Sequence, residues 1–217
     1  MNFFKVGMPI AIQMSAEMLY FCGFAIVIGS FGAEKLAAHT IAINVCALAY
    51  LMSAGISNGA TIRISSFFGG ENFRKMKVAA FVATFMTVLF EVCACVVILL
   101  FKDTIPFLYL GGGEVQTRDL AAKLLVIGVL TRIVDGVQIC SLGILRGLHQ
   151  VKLASIICVF SYLVVGTGIS YFLGVKLNYQ SFGVWWGFIC ALSISAFLLS
   201  ILCVLNLRKF TGKEEPI

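Results

Sequence analysis

The sequence predicts an all-α, polytopic membrane protein with six transmembrane helices. Of its 217 residues, 60% are apolar and 12% charged, against roughly a quarter charged in an ordinary soluble domain. The mean hydropathy is +1.02. The apolar residues gather in long runs instead of following a helical or strand period, and a helix needs about 20 of them to cross the hydrocarbon. Short alternating segments of about 10 residues, the mark of a membrane barrel, are missing from the sequence.

Six stretches qualify in chain order: Gly7–Ser30, Leu36–Ile62, Val78–Phe101, Leu120–Leu145, Leu153–Gly174 and Phe182–Leu207. The first follows a short Met1-Asn2-Phe3-Phe4-Lys5 lead without a small-residue cleavage pattern, so it is expected to stay as a helix. Pro9 stands near its start, where proline costs little. After the second, Arg63 can snorkel to the surface. The basic loop "FFGGENFRKMK", Phe67 to Lys77, is expected to lie along lipid headgroups. The longest connection runs from Lys102 to Asp119. Its Gly111-Gly112-Gly113 lacks the strand and lysine of a phosphate loop and reads as a turn. Nothing marks a soluble domain, so residues 1–217 read as one six-helix lobe.

All eight cysteines fall within the spans and none forms a CxxC pair. Cys93 and Cys95 point to different helix faces. They read as small apolar filler, with neither metal nor disulfide expected.

Basic residues give an orientation. One set of loops and ends carries Lys5, Arg74, Lys75, Lys77, Arg146, Lys152, Arg208, Lys209 and Lys213. The other carries Lys35, Lys102, Arg118, Lys123 and Lys176, diluted by Glu34, Asp103, Glu114 and Asp119. Both termini are therefore expected in the cytoplasm, with the chain in the cytoplasmic or plasma membrane. The net charge of +6 fits anionic lipid better than nucleic acid.

Ionisable residues inside spans are rare and mark ion or substrate paths. Glu17 follows Gln13 by one turn, so an amide and a carboxyl share a face. Asp135 shares its face with Thr131, Arg132 and Gln138, which offers hard oxygens to a proton or an alkali cation. An Arg132–Asp135 pair that merely eases insertion is the structural alternative, and the two can alternate if Asp135 exchanges its internal cation for an external one. Glu91 has no evident partner on its own helix, so an interhelical hydrogen bond or a protonated state is expected. His39 and Asn44 read first as helix-packing hydrogen bonders and second as cavity lining. Trp185 and Trp186 read as packing or interfacial residues. There is no HExxH or GxSxG, and the two histidines are His39 and His149. Enzymatic chemistry is therefore not expected, nor a cofactor beyond a coupling Na+ or H+.

Five stretches then come in an order that resembles the MATE family, the multidrug and toxic compound exporters. They are "GMPIAIQMSAE", "LAAHTIAINV", "GISNGATIRISSFFGGENFRK", "DGVQICSLGILRG" and "GVWWG". What they resemble is the C-terminal half of such a transporter. The resemblance implies two six-helix halves around a central cavity that opens alternately to either side. It also implies export of amphiphilic, often cationic compounds against inward sodium or proton flow. Glu17 and Asp135 match the acidic residues of that half that contribute to cation binding. Gln13, Asn44, Thr131, Arg132 and Gln138 are the expected cavity and supporting residues. Thr131 stands where some relatives have tyrosine. A second six-helix half is the expected partner, either another chain or a parallel second copy. Two alternatives remain: a non-transporting or truncated membrane subunit with structural charges, and a relative of the lipid-linked oligosaccharide flippases.

Overall fold

The structure, a computed structural model, describes residues 3–210. Lys213 and both chain ends, used above for orientation, lie outside the described residues. The elements are α1 (Phe3–Gly29), α2 (Ala33–Gly69), α3 (Phe73–Leu100), α4 (Thr104–Leu110), α5 (Val115–Gly147), α6 (Val151–Phe160), α7 (Thr167–Tyr171) and α8 (Gln180–Arg208). Ser161–Gly166 and Phe172–Lys176 wind as π-helix around α7, so one helical span runs from Val151 to Lys176. Among the described residues the regular structure is all helical.

Among the described residues, five helices are long and apolar enough to cross a membrane. The sixth long helix, α5, spans 33 residues, about 50 Å at 1.5 Å per residue. It packs against α2, α3 and α8, and both Arg132 and Asp135 lie within its buried surface. Its charges are tolerated because helices, not lipid, surround it. Large apolar side chains such as Ile26, Phe81, Leu100 and Phe197 project from the outer helices, as a lipid-facing rim requires.

The helices overrun the expected spans. The 37 residues of α2 reach about 55 Å, well beyond a hydrocarbon core of about 30 Å. The expected loop from Phe67 to Lys77 shrinks to Gly70–Asn72. Glu71 takes a positive φ of 56°, and the Asn72 side chain accepts from the Lys75 amide at 3.1 Å, which satisfies an otherwise orphaned donor at the start of α3. The expected loop from Lys102 to Asp119 contains α4, closed by Gly111 at φ 65°. Hydropathy could not mark these ends, because polar caps extend a helix past its apolar run.

Close approach between helices rests on glycine. A Cβ at Gly143 would lie 2.6 Å from the Ser57 carbonyl oxygen, and one at Gly147 would lie 2.9 Å from Ile64. Hydrogen bonds cross the same α2–α5 seam: Ser57 Oγ donates to the Ile139 carbonyl at 2.6 Å, and Thr61 Oγ1 to that of Gly143 at 2.9 Å. Small residues and hydroxyls of this kind associate helices where lipid is as apolar as any leucine. The "GVWWG" stretch has the same logic. A Cβ at Gly183 would meet the Gly174 nitrogen at 2.5 Å, and one at Gly187 the Ser170 nitrogen at 2.6 Å. Between these glycines Trp185 is buried in the core and Trp186 is exposed. All eight cysteines are free, with Cys95 buried and Cys93 exposed.

Gly183→Ala is therefore expected to lower stability by about 1–3 kcal/mol, since backbone must move to admit the methyl. Gly23→Ala, where a Cβ meets nothing within 4 Å, should be neutral or stabilising by up to about 1 kcal/mol. Thermal unfolding of the purified chain in detergent, followed by circular dichroism, separates the two.

Candidate cation and substrate site

The buried face of α5 turns two charges inward, one turn apart. Arg132 donates through Nη2 to Asp135 Oδ2 and through Nη1 to the Cys46 carbonyl of α2 at 2.5 Å. Its Nε lies 3.5 Å from Glu91 Oε2 of α3. Glu91 Oε1 in turn accepts from Ser53 Oγ at 2.7 Å. Arg132 is 3% exposed and Glu91 fully buried. Two hydrogen bonds hold the guanidinium, while its Nε and Glu91 Oε2 face each other as a charge contact without a hydrogen bond. Acceptors from three helices thus offset its burial. Gly136 makes the approach of α3 possible. A Cβ there would lie 2.7 Å from Glu91 Cγ. The interhelical bond expected for Glu91 is present, and its ionic partner sits on a helix that periodicity within α3 could not reveal.

Two cavities meet beside this cluster. The larger, about 440 Å³, is a mainly apolar cleft between α1, α2, α5 and α8, with Phe21, Ile43, Thr131, Arg132 and Phe188 in its wall. The smaller, about 80 Å³, is walled by Gln13, Ser57, Asn58, Gln138 and Arg146. Glu17, Tyr50, Asp135 and Met14 line both. The two carboxylates thus stand at the junction of an apolar cleft and a polar pocket.

The remaining expected residues divide. Gln13 is buried and accepts from Arg146 Nη2 at 3.3 Å. Gln138 donates to the Tyr162 hydroxyl, while its Oε1 is buried without a partner. Thr131 lines the cleft, its hydroxyl donating to the Gly128 carbonyl at 2.6 Å. Asn44 does not join them: it is exposed on α2 and lines neither cavity. The ring of His39 is buried edge-on to Trp185, 5.9 Å between centroids, and its Nδ1 lacks the packing hydrogen bond expected of it.

Tyr50, Asn58 and Arg146 also belong to the site, beyond the residues the sequence singles out. Arg146, grouped with the loop cations by its charge, lies inside α5 and reaches Gln13. A signal for Tyr50 was available: Cys46, Tyr50, Ser53 and Ser57 follow the 4-3-4 spacing of one helix face. Chemically the junction offers carboxylate, amide and phenol oxygens. A proton needs only one carboxylate. A sodium ion, a hard cation preferring oxygen, would draw on both carboxylates and on the unpartnered Gln138 Oε1. Among the described residues no group of three or more His, Cys, Asp or Glu forms a metal cluster, so neutral oxygens would have to complete such a shell.

The chain matches the MatE family description over residues 9–172. It belongs to the MatE family. Curated relatives include the multidrug resistance protein NorM of Burkholderia vietnamiensis, 32% identical over 90% of this chain and 43% of that protein. The probable multidrug resistance protein NorM of Agrobacterium fabrum is 27% identical over 94% of this chain and 45% of that one. The chain thus spans about half the length of the curated relatives it matches. Solved MATE structures show the same fold. The eukaryotic transporter AtDTX14 superposes with a TM-score of 0.87 at 17% identity, over 98% of this chain and 48% of that one. A multidrug resistance MATE transporter in an inward-facing conformation gives 0.82 at 19% identity, over 98% and 49%. One in an outward-facing conformation gives 0.85 at 17%, over 96% and 47%. This lobe is therefore a multi-pass MATE fold.

Because Glu91 neutralises a guanidinium in a dry interior, Glu91→Leu is expected to destabilise the lobe by about 3–5 kcal/mol. Glu91→Gln, which can still accept from Ser53, should cost less. Thermal melts in detergent measure both.

Proposed function

We propose that this chain is one six-helix half of a cation-coupled exporter of amphiphilic, often cationic compounds. It corresponds to the C-terminal half by the order of its motifs, lies in the cytoplasmic or plasma membrane with both termini cytoplasmic, and works beside a second six-helix half. The carrying observation is that Glu17 and Asp135 share one junction between a cleft fit for an amphiphile and a pocket fit for a small ion. The names of the NorM relatives support multidrug efflux as the activity.

In this reading Arg132 acts as an internal counterion. It neutralises Asp135 while no ligand is present. When sodium or a proton reaches Asp135, the guanidinium relaxes toward Glu91, which already stands beside it. A cationic substrate competes for the same negative charge at Glu17 and Asp135. Coupling then requires only that ion and substrate favour different shapes of the cavity. Similarity to both an inward- and an outward-facing transporter supports motion of the lobe as a body, with the site riding on it.

A second reading has its own observation. The Glu91–Arg132 pair is almost wholly enclosed, as a purely structural ion pair in a non-transporting subunit would be.

Efflux of a cationic dye from cells or vesicles carrying this chain with a MATE N-terminal half distinguishes the readings. Asp135→Asn is expected to remove the dependence of efflux on sodium or pH, lowering coupled rates at least about tenfold, or 1.4 kcal/mol. Intact coupling in Asp135→Asn would sink the assigned role. If Asp135→Asn and Glu17→Gln alter only expression level, and no efflux is measurable with any partner half, the structural reading stands. Glu91→Gln removes the second dock for Arg132. It should raise the cation concentration needed for half-maximal efflux while leaving Asp135 in place.

A further inference from the structure

A second feature lies away from this junction, at the end of the bundle where α2 turns into α3. A groove of about 790 Å³ opens there between the two helices. Its lining is mainly apolar, with the small residues Gly59, Ala60, Ala79 and Ala83 among larger ones that run as far along α3 as Met86. Its mouth carries Arg63, Arg74 and Lys75, and no acidic residue lines it. Glu71 is nearby in the turn but exposed and outside the groove.

Length and charge together identify the occupant. From Arg74 to Met86 the groove follows α3 for about 18 Å at 1.5 Å per residue. One leaflet of hydrocarbon is about 15 Å deep, half of a core of about 30 Å. An acyl chain laid along this lining therefore runs from the headgroup level to near the bilayer midplane. The charge at the mouth points the same way. Arg74 and Lys75 occupy the first turn of α3, which contains no acid, so two cations stand at the positive end of the helix dipole. That placement is unfavourable on its own. An anion between them and Arg63 removes the conflict, and a headgroup phosphate accepts from guanidinium and ammonium alike.

We propose that the α2–α3 groove holds one anionic phospholipid, its phosphate on Arg63, Arg74 and Lys75 and one acyl chain over Gly59 and Ala83 toward Met86. The site is distinct from the Glu17–Asp135 junction and does not depend on transport by the chain. A neutral amphiphile would leave the three cations unmatched, and a soluble anion would leave the apolar lining uncovered.

The test uses the full chain in vesicles of equal phosphatidylglycerol and phosphatidylethanolamine. The chain is extracted in mild detergent, and co-purifying lipid is quantified by native mass spectrometry. About one phosphatidylglycerol per chain is expected, in preference to phosphatidylethanolamine. Arg63→Gln/Arg74→Gln/Lys75→Gln should lower its retention at least about tenfold, because each surface cation adds to the attraction for anionic lipid. Gly59→Leu fills the groove without a clash, since a Cβ there meets nothing within 4 Å. It should displace the lipid with all three cations intact and the thermal melt unchanged. Arg208→Gln/Lys209→Gln removes two cations from the same end of the bundle but outside the groove, and should leave retention as in the wild type. Retention unchanged by Gly59→Leu overturns the proposal, because the retained lipid then lies outside the groove. An equal loss in the Arg208/Lys209 variant also overturns it, reducing the effect to general surface attraction.

Discussion

A guanidinium buried in a membrane helix must be surrounded by acceptors, and Arg132 imposes that constraint on the lobe. Its three sources of negative charge or carbonyl oxygen come from three places: Asp135 on its own helix, the Cys46 carbonyl on α2 and Glu91 on α3. Satisfying them fixes α5 at the centre and draws α2 and α3 against it. The glycines of α5 follow from the same requirement. Without Gly136 the Glu91 side chain could not reach the cluster, and without Gly143 and Gly147 the long α2 could not lie so close. Interhelical hydroxyl bonds from Ser57 and Thr61 then hold the seam without adding charge.

The proposed function rests on the one member of this cluster that is not sealed. Glu91 is fully enclosed, whereas Asp135 reaches both cavities. Glu17 on α1 faces the same junction and has no ion pair among the described residues as close as that of Asp135. The cleft beside them is walled by Phe21 and Phe188, which belong to an aromatic cluster with Tyr20, Phe24 and Tyr162. Flat apolar rings beside carboxylates suit organic cations, since rings and charge can be engaged at once. The small polar pocket is of a size for an ion or a few waters. In the proposed exchange, one junction would serve two ligands of the same sign.

Within the candidate site, legibility followed distance along the chain. Thr131, Arg132, Asp135 and Gln138 were read together because they are within two turns of one helix, and Gln13 with Glu17 for the same reason. Helical spacing is local information. The meeting of Glu91 with Arg132 spans 41 positions and that of Gln13 with Arg146 spans 133, and no period within either helix encodes such pairs. Asn44 shows the converse. Its polarity suggested cavity lining, but its rotation about the α2 axis turns it away from both cavities. Arg146 lies at the end of an apolar run, where hydropathy loses its meaning and cannot separate a surface cation from a buried one.

By itself, then, the sequence determined the helical membrane class, the order of the long helices, and the position of carboxylates, Glu17 and Asp135 among them, inside those helices. It did so because bilayer thickness sets helix length and because charge in hydrocarbon is too costly to be incidental. Tertiary structure alone decided which helix stands innermost, how Glu91 completes the surroundings of Arg132, and where two cavities share their wall. Those outcomes depend on the rotation and close approach of whole helices. They are settled by glycine contacts and buried ion pairing among residues far apart in the chain.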